Sequence, residues 1–393
     1  MTRFERGTRH GDENTSMQLS IKQYTPVSNR NPKRGDVTLI LAQGIDMSKE
    51  TFEPFIDDLL TVFPRIRNVW TLDAASNGAS YALNKDFIGD QPNWLDYPRD
   101  VWQAINHFQV QMPPPLVGIG QSLGCGSITV LSTWHPRLFS GIVLCEPALG
   151  PSPGAVWPRP TRYYPGVLAA KRKDVWPSRE AAAEALAKSM LYRHYDPRVL
   201  ERVLKYEIRE VDSNDGIHAS VPPDHVTLST PKALTVAQWL RPSPPLPGFP
   251  TDPEDTVAED MKTTIPGFSR PEAWWLWRSL PQVSPPVLFL WGSDSELFSG
   301  AGLKFRELLY TSVIGTGPGG RGGQANRQVD EAEIAGAHHS VVLEKPKGSA
   351  EAVGQWLQKK VLEWDEGRVN RKTQPINDPT RIPAALMEEL AKL

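Results

Sequence analysis

The stretch LVGIGQSLGCGSI, residues 116–128, decides the fold of this chain. Its first residues, Leu116 to Ile119, form a continuous apolar run of the buried-strand type. Gly120-Gln121-Ser122-Leu123-Gly124 then matches Gly-x-Ser-x-Gly, and a helix rich in small residues is predicted to continue to about Trp134. In this strand–turn–helix setting the glycines remove side chains that would collide at a sharp turn, and the turn exposes the serine hydroxyl. The motif therefore predicts that Ser122 is a nucleophile at the carboxyl edge of a sheet.

Apolar runs and helical patterns alternate on both sides of this stretch. The alternation is typical of an α/β protein with a mostly parallel central sheet and helices on both faces. The other predicted strands are Met17–Tyr24, Val37–Leu41, Val69–Leu72, Gly141–Cys145, Val287–Trp291 and one that ends near Ile334. The main predicted helices outside the motif begin near Ser48, Tyr97, Ala301 and Ala350.

The alternation stops between about Leu149 and Leu280, where proline and tryptophan are frequent. Helical patterns are found there near Ser178–Leu191 and Pro197–Ile208, whereas Pro242–Pro253 can be neither helix nor central strand. We interpret this segment as a large cap inserted after the strand that ends at Glu146. The predicted organisation is a core of residues 1–148 and 286–366, a cap of residues 149–285 and a polar tail of residues 367–393.

Composition excludes several classes of protein. The 393 residues include 43 Lys and Arg against 45 Asp and Glu, a net charge of −2, so no basic excess favours nucleic acid as a partner. Two cysteines, Cys125 and Cys145, rule out a disulfide framework. No apolar run approaches the roughly 18 residues of a membrane-spanning helix, and we expect no transmembrane segment. The charged first residues lack the apolar stretch of a secretory signal.

The last three residues carry a targeting signal. Ala391-Lys392-Leu393 is a conservative variant of Ser-Lys-Leu, the tripeptide that the peroxisomal import receptor binds. The preceding residues are polar and include prolines, which is typical of an exposed tail. We therefore expect the import receptor as a partner and the peroxisomal matrix as the location.

A serine needs a histidine to accept its proton. Of the eight histidines, only His338 and His339 follow the last predicted strand, where the base of such enzymes lies in the chain order serine, acid, histidine. Counting back from Glu344-Lys345-Pro346, which begins the last helix, favours His339, with His338 as the alternative. The others lie in the charged N-terminal segment, at helix ends or in the cap.

Two carboxylates are candidates for the acid that orients the histidine. The position expected after the strand that follows the cap holds Ser295, and Asp294 is one residue away from it. Glu146 lies at the end of the apolar strand Gly141–Cys145, where an ionised carboxylate is costly unless it is paired. An imidazolium partner would explain that position, so we favour Glu146 and keep Asp294 as the alternative.

The remaining site residues follow from the needs of acyl transfer. Backbone N–H groups must face the tetrahedral oxygen, and the predicted donors are Leu123, directly after the nucleophile, and Ile45, in the loop after the strand Val37–Leu41. Trp274 and Trp275 in the cap are expected to pack there and to line an apolar substrate pocket, with Trp157 and Tyr163 nearby. No metal or bound cofactor is expected.

Several stretches resemble a family of fungal peroxisomal α/β-hydrolases. They are IKQYTP (21–26), KETFEP (49–54), NHFQVQMPPPLVGIG (106–120), HPRLF (135–139) and DVWPSRE (174–180). The resemblance implies an α/β-hydrolase fold with Ser122 as nucleophile, His339 as base and Glu146 as acid, and import through the C-terminal tripeptide. Histidines common in the family are replaced here by Gln43 and Gln121, which we expect to contact the substrate, and Glu146 replaces an aspartate.

The function implied is that of a serine hydrolase with a small-molecule acyl substrate. The expected reaction is cleavage of an acyl thioester, the acyl-CoA of a polyketide or another secondary metabolite, through an acyl-enzyme on Ser122. Two alternatives stay open. One is a peroxisomal lipase or carboxylesterase, and the other is a member of the fold that transfers or cyclises an acyl group without hydrolysis.

Overall fold

The computed structural model describes residues 15–89, 92–150, 164–212, 218, 220–242, 268–298, 302–373 and 380–393. Its centre is a seven-stranded sheet in the order β1-β3-β2-β4-β5-β6-β7. These strands are β1 (Ile21–Tyr24), β2 (Val37–Ala42), β3 (Ile66–Leu72), β4 (Leu116–Gln121), β5 (Gly141–Cys145), β6 (Val287–Gly292) and β7 (Val329–Ile334). Only β1 pairs antiparallel, with β3, and the other pairings are parallel.

The sequence pattern of each strand matches its place in the sheet. Strands β2, β4, β5 and β6 are buried along their whole length, because helices cover both faces of a parallel sheet. Strand β7 is at an edge of the sheet. In its sequence VDEAEI the first and last residues are buried, and the two glutamates between them are exposed. Strand β1 is shorter than the predicted Met17–Tyr24, since only four residues pair with β3. The prediction of a mostly parallel α/β sheet is confirmed.

Helices pack on both faces of this sheet. On one face α1 (Glu53–Val62) packs with α12 (Pro346–Thr373), and the cluster includes Phe55, Leu59 and Leu357. On the other face α3 (Asp96–His107) packs with α4 (Leu123–Trp134), and the cluster includes Val101 and Ile128. The remaining core helices are α2 (Gly78–Asn84), α10 (Leu303–Leu308) and α11 (Val341–Glu344), and α13 (Ala384–Leu390) lies exposed near the C-terminus.

The segment between β5 and β6, which we call the insert, adds no strand to the central sheet within its described residues. Its strands Val175–Trp176, Ile208–Glu210 and Val226–Leu228 form a separate antiparallel sheet, and Arg241–Pro242 pairs with Phe268–Ser269. Its helices are α5 (Pro165–Lys171), α6 (Arg179–Ala187), α7 (Pro197–Tyr206), α8 (Lys232–Trp239) and α9 (Pro271–Ser279). Helices α6 and α7 are shorter than the predicted patterns, and Pro242–Pro253 lies almost wholly outside the described residues.

The C-terminal part is more helical than expected. The polar tail was predicted to begin at residue 367, but α12 continues to Thr373. Residues 367–373 contain no proline, and three of them are Arg or Lys, which favour helix, so the polar composition does not end the helix there. The short helix α13 follows after residues outside the described part. None of the described helices is long and apolar enough to cross a membrane.

Two glycines allow the turn between β4 and α4. A Cβ atom on Gly124 would lie 2.0 Å from the carbonyl oxygen of Ala42, and one on Gly120 would lie 2.5 Å from the backbone nitrogen of Cys125. Both obstacles are backbone, which cannot move aside without distorting β2 or the start of α4. Ser122 between them has φ 56° and ψ −118°, a strained conformation for a residue with a side chain.

We predict that Gly124→Ala lowers the free energy of unfolding by more than about 3 kcal/mol, because the added methyl group overlaps the Ala42 carbonyl. Gly126→Ala in the same helix is the matched control. Its Cβ would meet only the ends of flexible side chains, Leu276 at 3.2 Å and Leu149 at 3.6 Å, so the stability of this variant should change by no more than about 1 kcal/mol. Urea unfolding followed by circular dichroism measures both, and equal losses would contradict the argument.

Candidate active site

Ser122 lies at the carboxyl end of β4, and its side chain faces His339, which is 217 residues further along the chain. The Nε2 atom of His339 lies 2.9 Å from Ser122 Oγ, within hydrogen-bond distance. Ser122 is 5% exposed, so bulk water has little access to its hydroxyl. The positive φ of Ser122 turns the side chain out of the sheet and towards the loop after β7 that carries His339. This geometry allows the imidazole to accept the hydroxyl proton.

Glu146 follows β5 directly and reaches the other ring nitrogen of His339. Its Oε2 atom lies 3.4 Å from His339 Nδ1, and its side chain is fully buried. The same carboxylate accepts hydrogen bonds from the Gly292 N–H at 2.8 Å and from the Ser295 hydroxyl at 2.6 Å. Burial holds the pKa of Glu146 above its ordinary value, and the hydrogen bonds from His339 and Ser295 offset only part of this increase. The carboxylate can therefore orient the imidazole and stabilise its protonated form.

The alternative acid, Asp294, does not reach this site. Its carboxylate is exposed and accepts a hydrogen bond from the neighbouring Ser293 hydroxyl at 2.9 Å. Ser295 stands where the acid was expected, and its hydroxyl donates to Glu146 instead. Sequence reasoning gave Ser295 no role. The signal was present, since a hydroxyl at the usual acid position can support a carboxylate supplied from the neighbouring strand.

The alternative base, His338, points away from the nucleophile. Its Nδ1 atom lies 3.0 Å from Glu344 Oε2, and its ring stacks on His194 of the insert with centroids 4.0 Å apart. Glu344 also accepts hydrogen bonds from the N–H groups of His338 and Ser340, at 2.8 and 3.0 Å. These two bonds flank His339 along the chain and fix the backbone that carries it.

The two predicted oxyanion donors lie beside Ser122. Leu123 is the first residue of α4, so its N–H has no acceptor within the helix. Ile45 lines the same cavity as Ser122, and its N–H makes no hydrogen bond to another described residue. Gly44 brings this loop close, since a Cβ atom there would lie 3.2 Å from Ser122 Cβ. Both amides are therefore available to a negatively charged oxygen bound at Ser122.

A cavity of about 470 Å³ opens beside Ser122 and His339. Core loops and helices of the insert form its walls together, and most of the lining is apolar. Such a lining suits the hydrocarbon part of a ligand, while the few polar groups near Ser122 orient it. The larger apolar side chains on its walls include Ile45, Met47, Trp94, Leu168, Trp176, Leu186, Leu228 and Trp239.

Trp274 and Trp275 do not line this cavity, which corrects the expectation for them. Trp274 packs under the Arg278 guanidinium, 5.0 Å from it, and Trp275 is 39% exposed on the outer side of α9. The small Ala273 of that helix faces the cavity instead. The helical period explains the error, because neighbours of a lining residue point about 100° away from it. Trp157 and Tyr163 lie outside the described residues.

Gln43 and Gln121 also have scaffold contacts rather than places on this cavity. The Gln43 amide donates to Asp73 at 3.2 Å and accepts from the Tyr97 hydroxyl, which holds the loop after β2. The Gln121 amide donates to the His339 carbonyl oxygen at 2.8 Å. Both side chains are almost fully buried. Gln43 therefore fixes the loop that carries Ile45, and Gln121 fixes the backbone of His339.

No group of three His, Cys, Asp or Glu side chains that could hold a metal ion is found in the described part of the chain. The two cysteines are buried, and burial raises the pKa of both thiols. They are therefore poor nucleophiles. Ser122 and His339 line the cavity, and Glu146 contacts His339 from its buried side.

Comparison with known proteins agrees with this architecture. The chain is 32% identical to the type I acyl-CoA thioesterase mpaH of Penicillium roqueforti, over 90% of this chain and 86% of that protein. It is 26% identical to the abhydrolase domain-containing protein AFT2-1 of Alternaria alternata, over 63% of this chain and 85% of that protein.

Solved structures share the fold at lower identity. The peroxisomal α/β-hydrolase Lpx1 of Saccharomyces cerevisiae superposes with a TM-score of 0.63 at 18% identity, covering 95% of this chain and 89% of that one. The thioesterase domain from the curacin biosynthetic pathway superposes with a TM-score of 0.51 at 12% identity, covering 86% of this chain and 94% of that one. The profile of the α/β hydrolase family matches residues 39–352. The chain therefore belongs to the α/β hydrolase family and is an enzyme of the hydrolase class.

Proposed function

We propose that this enzyme is a serine hydrolase that cleaves acyl thioesters of the acyl-CoA type. The observation that carries the proposal is the contact of His339 Nε2 with Ser122 Oγ at 2.9 Å at the floor of an apolar cavity. The identity of 32% with an acyl-CoA thioesterase along nearly the whole chain supports the thioester as the reacting group. We propose further that residues 149–285 act as a cap over this site, since the described insert helices contribute much of the cavity wall.

The first half of the reaction forms an acyl-enzyme. His339 Nε2 takes the proton of the Ser122 hydroxyl, and Oγ attacks the thioester carbonyl carbon. The negative charge moves to the carbonyl oxygen, where the N–H groups of Leu123 and Ile45 donate to it. Glu146 stabilises the imidazolium that forms. The carbon–sulfur bond then breaks, and the thiolate of CoA leaves as a thiol with the proton from His339.

The second half of the reaction uses water. The neutral His339 takes a proton from a water molecule, and the resulting hydroxide attacks the acyl carbon bound to Ser122 Oγ. The same two amides hold the tetrahedral oxygen. When the carbon–Oγ bond breaks, His339 returns the proton to Oγ, which releases a carboxylic acid and regenerates the free serine.

The assignment of the acid gives a direct prediction. Glu146→Gln keeps the shape but removes the charge that stabilises the His339 imidazolium, so kcat should fall on the order of 10²- to 10⁴-fold. Asp294→Asn, the matched variant of the exposed alternative, should leave kcat within about twofold because surface substitutions away from the site are nearly neutral. Kinetics on one acyl-CoA, with thermal unfolding as the control for folding, measure both. Full activity in Glu146→Gln would refute the assignment.

The substrate class gives a second prediction. We expect the enzyme to release CoA from aromatic or long-chain acyl-CoAs, measured as free thiol. The kcat/KM for the thioester should be at least about tenfold above that for the oxygen ester of the same acyl group. This ratio corresponds to a difference of about 1.4 kcal/mol in transition-state binding. Ser122→Ala should abolish the release and also prevent labelling by a fluorophosphonate. Turnover of glycerides alone would instead favour a lipase. Labelling of Ser122 without hydrolysis of either ester class would favour acyl transfer.

The location gives a third prediction. We propose that Ala391-Lys392-Leu393 directs the enzyme to the peroxisomal matrix, supported by the full exposure of Leu393 beyond α13. A fluorescent protein fused before residue 1 should give a peroxisomal pattern in fungal cells, and deletion of residues 391–393 should leave it cytosolic. Exchange of the exposed Glu388 for Gln is the control and should leave the pattern unchanged. A peroxisomal pattern in the deletion variant would contradict the proposal.

A further inference from the structure

The loop that carries Ile45 is held in an unusual backbone conformation. Asp46, the next residue, has φ 66°, which lies in the left-handed region that residues with side chains rarely adopt. A conformation of this kind persists only where surrounding contacts fix it. We call residues 44–48 the oxyanion loop, because Ile45 provides one of the two proposed oxyanion donors.

The contacts of the Asp46 side chain come from the insert. Its Oδ2 atom pairs with the Arg172 guanidinium at the end of α5, and its Oδ1 atom accepts a hydrogen bond from the Thr235 hydroxyl of α8 at 2.9 Å. Arg172 also donates to Thr235 at 3.4 Å, so the three side chains form a closed triangle. The side chains of Arg172 and Asp46 are only 20% and 11% exposed.

A second contact holds the far end of the same loop. The Ser48 N–H donates to the Glu207 carboxylate, which follows α7 in the insert, at 2.8 Å. The core side of the loop is held by Gln43 and Lys49, which both hydrogen-bond to Asp73. Between these fixed ends, Asp46 is the residue of the loop whose side chain makes an ion pair with the insert. The contacts of the Asp46 side chain therefore lie one residue after the Ile45 N–H.

We propose that Arg172 and Thr235 are positioning residues for the oxyanion hole: through Asp46 they hold the Ile45 N–H towards the tetrahedral oxygen. The inference rests on the serine mechanism proposed above and deepens it, because it makes the insert part of the catalytic apparatus as well as the wall of the cavity. The seated insert then completes the oxyanion hole, and an insert that has moved away leaves it incomplete.

This role has a kinetic consequence that a structural role lacks. The charge on the substrate oxygen exists in the tetrahedral transition state and is absent from the bound thioester. Loss of a correctly aimed donor therefore lowers kcat and weakens binding of tetrahedral analogues, while KM stays nearly constant. A residue that simply packs the cavity would change KM, and one that simply stabilises the fold would change the unfolding temperature.

The experiment compares two arginines that both join the insert to the core through an aspartate. Arg172→Met removes the pair with Asp46, and Arg198→Met removes the exposed pair of α7 with Asp58, at 2.8 and 3.0 Å. In Arg172→Met we expect kcat to fall about 10²-fold with KM within about threefold, and the Ki of a trifluoromethyl ketone analogue to rise as kcat/KM falls. In Arg198→Met all three constants should stay within about twofold.

Two further variants keep the test valid if Arg172→Met does not fold. Arg172→Lys keeps the charge and should restore part of kcat, and Thr235→Val should lower kcat several-fold without changing KM. The pair Asp46→Asn and Arg172→Met should be non-additive, since each removes the same contact. A tenfold rise in KM at unchanged kcat would overturn the proposal and make Arg172 a substrate-binding residue.

The outcomes separate this inference from the proposed function. If Ser122→Ala is inactive and both Arg172→Met and Thr235→Val keep full kcat, the positioning role fails and the serine mechanism stands. If Ser122→Ala keeps its thioesterase activity, the serine mechanism itself fails, and the positioning role fails with it. If Arg198→Met loses as much kcat as Arg172→Met, the effect belongs to anchoring of the insert in general, and the specific role of Asp46 is overturned.

Discussion

The arrangement of the site depends on one buried carboxylate. Glu146 lies at the end of an apolar strand with no exposure of its side chain, where an unpaired charge would be very costly. It is compensated by the Gly292 N–H, the Ser295 hydroxyl and the His339 ring, which belong to the end of β6 and to the loop after β7. A single carboxylate thus joins the carboxyl ends of three neighbouring strands, and this places the His339 imidazole beside the Ser122 hydroxyl.

Much of this could be predicted from the sequence, because the informative signals were local. The Gly-x-Ser-x-Gly turn between a strand and a helix admits few backbone arrangements, and close backbone contacts at Gly120 and Gly124 explain why glycine is needed. The strand–helix alternation determined the sheet, since runs buried on both faces indicate parallel strands. Glu146 was favoured by an energetic argument and by the family resemblance, and the structure brings it to His339.

The signals that failed were those that need three-dimensional packing. Trp274 and Trp275 were assigned to the cavity by their type, but the orientation of α9 directs Ala273 there instead. Gln43 and Gln121 were expected to contact substrate because they replace histidines common in the resembled family, yet their amides hydrogen-bond to Asp73 and to the His339 backbone. The end of α12 was placed too early because charged residues are common both in helices and in exposed tails.

The core and the insert contribute different kinds of side chain to the site. The core carries Ser122 and Glu146 directly after strands and His339 in the loop after β7, and hydrogen bonds join the three side chains. The insert supplies apolar walls, and its arginine, threonine and glutamate meet the loop after β2. A buried ion pair contributes little net stability, because desolvation offsets the attraction between the charges. It forms only when the two side chains are held in a well-defined geometry. Its place beside Ile45 is therefore better explained by the need to aim an amide than by the need to hold the insert on the core.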